Sequence, residues 1–119
     1  MRTSNGEALL KTIVGARLTS VQFVLNYLIL GFDEKGALTS LVWPEIAKGE
    51  ERAEFGMVDY RNALCELIEH VVASANVAPD ETIVIEFDNQ IQLRIPLKSY
   101  KGTGERAIFT AAQHRLFVW

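Results

Sequence analysis

The chain has 119 residues, 49% of them hydrophobic and 9% aromatic, with 12 Lys and Arg against 15 Asp and Glu for a formal charge of −3. A chain of this length buries roughly two thirds of the surface its unfolded form exposes, enough for one self-sufficient domain. The acidic balance rules out the broad basic field that nucleic acid or anionic lipid requires, the single cysteine rules out an intrachain disulfide framework, and no apolar run reaches the ~20 residues of a membrane span.

Ser4-Asn5-Gly6-Glu7 has the spacing of a reciprocal helix cap. Leu9, Leu10, Ile13 and Val14 follow at helical spacing and Gly15 suits a helix end, so a short helix is expected over residues 5–14. The start of the chain lacks the apolar core of a signal peptide, which with the lone cysteine points to the cytoplasm. Arg17 to Phe23 alternates as a strand does, and Leu25-Asn26 is a turn.

Tyr27 to Phe32, Asp33-Glu34-Lys35-Gly36 and Ala37 to Trp43 read as a β-hairpin ended by Pro44. Gly36 is expected at positive φ, which glycine adopts without steric cost. The outward positions of the first strand are Tyr27, Ile29 and Gly31, apolar or small, so this hairpin is expected to be covered on both sides.

Residues 45–58 are charged, glycine-containing and weakly periodic, and read as a polar connection. Asp59 then suits a helix cap, and Tyr60, Ala63, Leu64, Leu67, Ile68, Val71 and Val72 keep helical spacing, so a helix is expected from Asp59 to Val72. Pro79-Asp80 marks a turn. Ile83 to Phe87 and Ile91 to Leu97 then form a second hairpin that echoes the first, with Leu28, Leu30, Phe32 and Asp33 matched fifty-five residues later by Ile83, Ile85, Phe87 and Asp88. The pattern suggests two related units, 5–44 and 60–97. Lys98 to Gly104 is a basic loop, Glu105 to Gln113 is read as a last short helix, and Leu116 to Trp119 as a closing strand.

The fold expected is α+β: one antiparallel sheet of about six strands built from the two hairpin units, with two or three helices packed on it, in a single domain spanning 1–119. Catalytic signatures are missing: there is no Gly-rich phosphate loop, no Gly-x-Ser-x-Gly and no His-Glu-x-x-His. Cys65 and His70, five apart on a helix, would point ~140° apart and cannot act as nucleophile and base. Glu66, Glu69 and His70 are too dispersed for a metal centre, and no metal or cofactor is expected. Asp33 and Asp88 hold equivalent turn positions, where aspartate caps backbone; brought together they would make a carboxylate pair. They are retained as ligand candidates with His70 and His114. Trp43 beside Pro44, the terminal Trp119, and Tyr27 with Ile29 are the interface candidates, since aromatic and apolar side chains anchor protein contacts when exposed.

Phe32-Asp33 and Trp43-Pro44, Tyr60-Arg61-Asn62-Ala63-Leu64-Cys65-Glu66-Leu67-Ile68, Phe87-Asp88 through Pro96-Leu97, Gly104-Glu105-Arg106-Ala107-Ile108-Phe109 and Leu116-Phe117-Val118-Trp119 together form a pattern. It resembles a class of small uncharacterised bacterial α+β proteins over most of the chain. Size and acidity are also similar to those of immunity proteins of bacterial toxin systems. Neither resemblance implies a catalytic residue. The function expected is that of a non-enzymatic, self-associating interaction module, forming a homodimer or meeting a protein partner. The alternative is a small-ligand protein or enzyme with its pocket between the central helix and the sheet.

Overall fold

The computed structural model describes residues 3–98, 106–111 and 116–119. It is α+β, with two α-helices, one 3-10 turn and ten strands among the described residues. Helix α1 (Thr3–Leu10) runs into the 3-10 turn Lys11–Ile13, followed by β1 (Leu18–Val24), β2 (Tyr27–Phe32), β3 (Gly36–Ser40), β4 (Glu45–Lys48) and β5 (Glu51–Ala53). Then come α2 (Tyr60–Cys65), β6 (Val72–Val77), β7 (Thr82–Phe87), β8 (Gln92–Pro96), β9 (Ala107–Ala111) and β10 (Leu116–Val118).

The single sheet of about six strands expected from the sequence is instead two five-stranded antiparallel sheets. Their orders are β1-β2-β3-β9-β10 and β5-β4-β8-β7-β6. Each contains a three-strand meander from one half of the chain, completed by the terminal hairpin of the other half. β3 pairs with β9 and β8 pairs with β4, so the hairpins are exchanged between the halves. Gly36, at φ 129°, sits at the first of these junctions, where a Cβ would run into the backbone of Thr110 and Ala111.

The two halves are joined by matching backbone hydrogen bonds. Arg17 and Val71 form an isolated antiparallel bridge. On one side of it Gly15 N–H donates to Val72 C=O at 2.9 Å, and on the other Glu69 N–H donates to Leu18 C=O at 2.7 Å. Val72 N–H to Ala16 C=O, 2.9 Å, is answered by Leu18 N–H to His70 C=O, 3.0 Å. Gly15 (φ 90°) and Glu69 (φ 83°) take the same left-handed turn. Both edge strands carry a register shift near their start, between Leu18 and Ser20 and between Val72 and Ser74. The buried helical pairs in register are Leu10 with Leu64 and Ile13 with Leu67, one position out of step with the hairpin echo.

Inward side chains of both sheets meet in one core, in which Phe32, Phe87, Phe109, Leu28, Leu30 and Ile85 are at most 1% exposed. Four further expectations need correction. The helix expected from Asp59 to Val72 stops at Cys65: Glu69 takes positive φ, and Val72 is drawn into β6 by its bond to Ala16. Helical spacing held to Val72 because the β-branched start of a buried strand also supplies apolar residues. The connection 45–58 contains the hairpin β4–β5, with Gly49 (φ 62°) at its turn. The last helix, expected over 105–113, is strand β9 over its described part, its alternating burial placing Ala107, Phe109 and Ala111 inside. Glu7, expected to cap its own helix, instead accepts the Val77 N–H at 2.9 Å.

Candidate functional site

Strand alternation and register settle which residues share the outer face of each sheet. On the first sheet one row across five strands is Gln22, Ile29, Thr39, Ile108 and Val118, and the next is Ser20, Gly31, Ala37, Thr110 and Leu116. None of these side chains is charged. Val24 and Tyr27 pair at the end of the face, where Leu41 N–H donates to Arg106 C=O and alternation from Ile108 places Arg106 on the same side. The helices lie elsewhere, α1 against β6 and β10, α2 against β4. The full cover expected over Tyr27 and Ile29 is therefore not provided by either helix, and both side chains are half-buried by their neighbours on the sheet.

The second sheet presents the matching rows with opposite chemistry. Asn76, Val84, Arg94 and Glu45 form one, Ser74, Glu86, Gln92, Ala47 and Arg52 the other. Arg52 Nη1 lies 3.0 Å from Glu45 Oε1, Arg94 Nη1 donates to Gln92 Oε1 at 3.0 Å, and Gln92 Nε2 donates to Glu86 Oε1 at 3.5 Å. Thus Thr39 of one sheet stands where Arg94 stands in the other, Ile108 where Glu45 does, and Gly31 where Glu86 does. Solvent solvates the charged face readily, whereas the one with uncharged central rows gains by being covered.

The other sequence candidates fall as follows. Asp33 Oδ2 accepts the Arg17 N–H at 3.0 Å and Asp88 Oδ2 accepts the Val71 N–H at 3.3 Å. Each carboxylate caps backbone at its own end of the Arg17–Val71 bridge, and the two are not hydrogen-bonded to each other. His70 Nδ1 is 2.7 Å from Asp88 Oδ1, and that hydrogen bond, with the one from Val71, holds the Asp88 carboxyl below the usual aspartate range. His114 lies outside the described residues. Cys65 is exposed, and no group of three or more metal-ligating side chains occurs among the described residues.

Trp43 is stacked on Phe55 at 4.4 Å, with Tyr60 edge-on to Phe55 at 5.9 Å. The Tyr60 hydroxyl donates to Pro44 C=O, and burial pushes its pKa up. Trp119 meets Phe117 at 4.9 Å and donates its N–H to Ala107 C=O at 2.8 Å, which ties the described end of the chain to β9. Both tryptophans are half-buried within this chain. A groove of about 320 Å³ opens between α2 and the β4–β5 hairpin, lined by buried Ile46 and Ile91 and by exposed Lys48, Asp59 and Glu66. None of Asp33, Asp88 and His70 lines it.

No family model matches the chain, and neither a curated protein nor a solved structure matches it. No helix among the described residues is long and apolar enough to cross a membrane.

Proposed function

We infer that the protein is a non-enzymatic interaction module that self-associates by packing the outer face of its first sheet against the same face of a second copy. The observation that carries this reading is the contrast between two faces of equivalent geometry, one laced with ion pairs and one whose two central rows hold no charge. Two such faces meeting about a twofold axis would stack as sheets do, about 10 Å apart. Five strands at ~4.8 Å spacing and about 17 Å of strand length give ~400 Å² per copy, or ~800 Å² in total, below the size of a stable specific contact. The dimer is accordingly weak and concentration-dependent. A cytoplasmic bacterial setting fits this reading.

Sedimentation equilibrium from 10 µM to 1 mM tests it. The expected result is a monomer–dimer equilibrium that Ile29→Lys weakens by at least about tenfold, since a lysine there places an uncompensated charge at the centre of the contact. A protein that stays monomeric at 1 mM, or an Ile29→Lys variant that dimerises as the parent does, would overturn it. A second reading is small-ligand binding in the groove between α2 and β4–β5. It is supported by the position of that groove between the central helix and a sheet.

A further inference from the structure

The two sheets end in equivalent edge strands, β1 and β6, and the chain treats them differently. Alternation along each strand turns the N–H and C=O groups of Ala75 and Val77 toward the open side of β6, and those of Val21 and Phe23 toward the open side of β1. On β6 both kinds of group are taken by α1 and the 3-10 turn that continues it. Lys11 Nζ donates to Ala75 C=O at 3.0 Å, and Val77 N–H donates to Glu7 Oε2 at 2.9 Å. An edge whose backbone is occupied by charged side chains is closed to further strands.

In the equivalent positions α2 carries Cys65 and Arg61. The thiol is too short to replace Lys11, and a guanidinium has no lone pair with which to accept an N–H as Glu7 does. Arg61 instead lies over the Phe23 ring, 5.9 Å from its centroid, and no carboxylate among the described residues pairs with it. No described group bonds Val21 C=O or Phe23 N–H from the open side. From Leu18 to Val24 the strand contains no charge or proline, and its one irregularity, between Leu18 and Ser20, lies ahead of Val21 and Phe23. Beside it a pocket of about 260 Å³ is lined by Phe23, Leu25, Trp43, Phe55, Tyr60 and Arg61. Leu25 is 91% exposed at its mouth.

We propose that this edge is a docking site for an extended segment of another protein, which adds to β1 as a further antiparallel strand, sets a carboxylate against Arg61 and seats an apolar side chain in the pocket beside Phe23. Main-chain bonds to Val21 and Phe23 provide the attachment and the two side-chain contacts provide selectivity. A second copy fits this edge poorly. β1 has no carboxylate of its own, and antiparallel self-pairing centred on Val21 sets Arg17 of one copy opposite Leu25 of the other, beside Arg61. The edge is thus distinct from the outer face through which the protein is read to self-associate, and its test does not depend on that reading.

The probe is a seven-residue peptide of alternating valine and threonine with one phenylalanine and one glutamate, alongside versions with lysine for the glutamate and with N-methylated backbone amides. Binding is followed by tryptophan fluorescence and by amide exchange at Phe23. The glutamate peptide is expected to bind at least tenfold more tightly than the lysine peptide and to slow Phe23 exchange at least tenfold, and the N-methylated peptide to do neither. Rebuilding the guard with Arg61→Glu and Cys65→Lys together is expected to slow Phe23 exchange without peptide and to remove binding. The proposal is overturned if Phe23 exchanges as slowly as Val77 in the dilute free protein, or if its protection grows with protein concentration alone. It fails equally if none of the peptides binds, or if the guarded variant binds the glutamate peptide as the parent does.

Discussion

Asp33 and Asp88 each accept the backbone N–H at the head of an edge strand, but only Asp88 has a histidine on its other oxygen, because Ala16 stands where His70 does in the first half. The two sites therefore respond differently to acid. The carboxyl pKa of Asp88 is lowered in the folded state, so its contribution to stability is fully present above the unfolded aspartate value and is lost as pH falls through the lower folded value. Asp88→Asn is expected to flatten that acid limb in urea titrations taken from pH 5 to pH 2, and an unchanged limb would remove Asp88 from the account. Gly36 carries a different constraint. At φ 129° and against the backbone of Thr110, Gly36→Ala combines a left-handed strain with a steric overlap, and a loss of about 2 kcal/mol or more is expected in denaturant unfolding.

At the scale of elements, β9 and β10 are made by the second half of the chain yet complete the first sheet. Phe109 is fully buried there, paired in register with Leu38. Phe109→Ala is expected to cost about 3–5 kcal/mol, as for a phenylalanine at the centre of a core, whereas the same change at Phe117, on the three-residue edge strand β10, should cost much less. Equal losses would mean that the exchanged hairpin is not integral to the sheet. Helix α2 is only six residues long, too short to hold without packing; Tyr60 and Leu64 anchor it to the core.

At the scale of the molecule, the exchange of hairpins makes each half dependent on the other. Residues 1–58 hold the meander of one sheet and the hairpin of the other, and residues 59–119 hold the complements. Produced as separate chains, neither half is expected to fold alone, and mixing them is expected to restore a one-to-one complex with the dispersed amide spectrum of the intact protein. A half that folded cooperatively as a monomer would contradict this dependence. The same arrangement leaves two outer faces of matching geometry, and their divergent chemistry is what directs attention to Ile29, Thr39 and Ile108.

The sequence by itself determined the α+β class, both hairpins, the positive φ at Gly36 and the closing strand. These depend on short-range signals, namely alternation, turn residues and helical spacing. Tyr27 and Ile29 were legible as outward and uncharged for the same reason. Only the tertiary structure decided that there are two sheets, that Ala107 to Ala111 is a strand, that residues 66–72 leave the helix, and that β1 is unguarded while β6 is closed. Each of those outcomes depends on a partner distant in the chain, such as Leu18 for Glu69, Ala16 for Val72, Gly36 for Ala111 and Glu7 for Val77. The apolar spacing of Val71 and Val72 suited a helix and a strand alike, and long-range backbone pairing selected the strand.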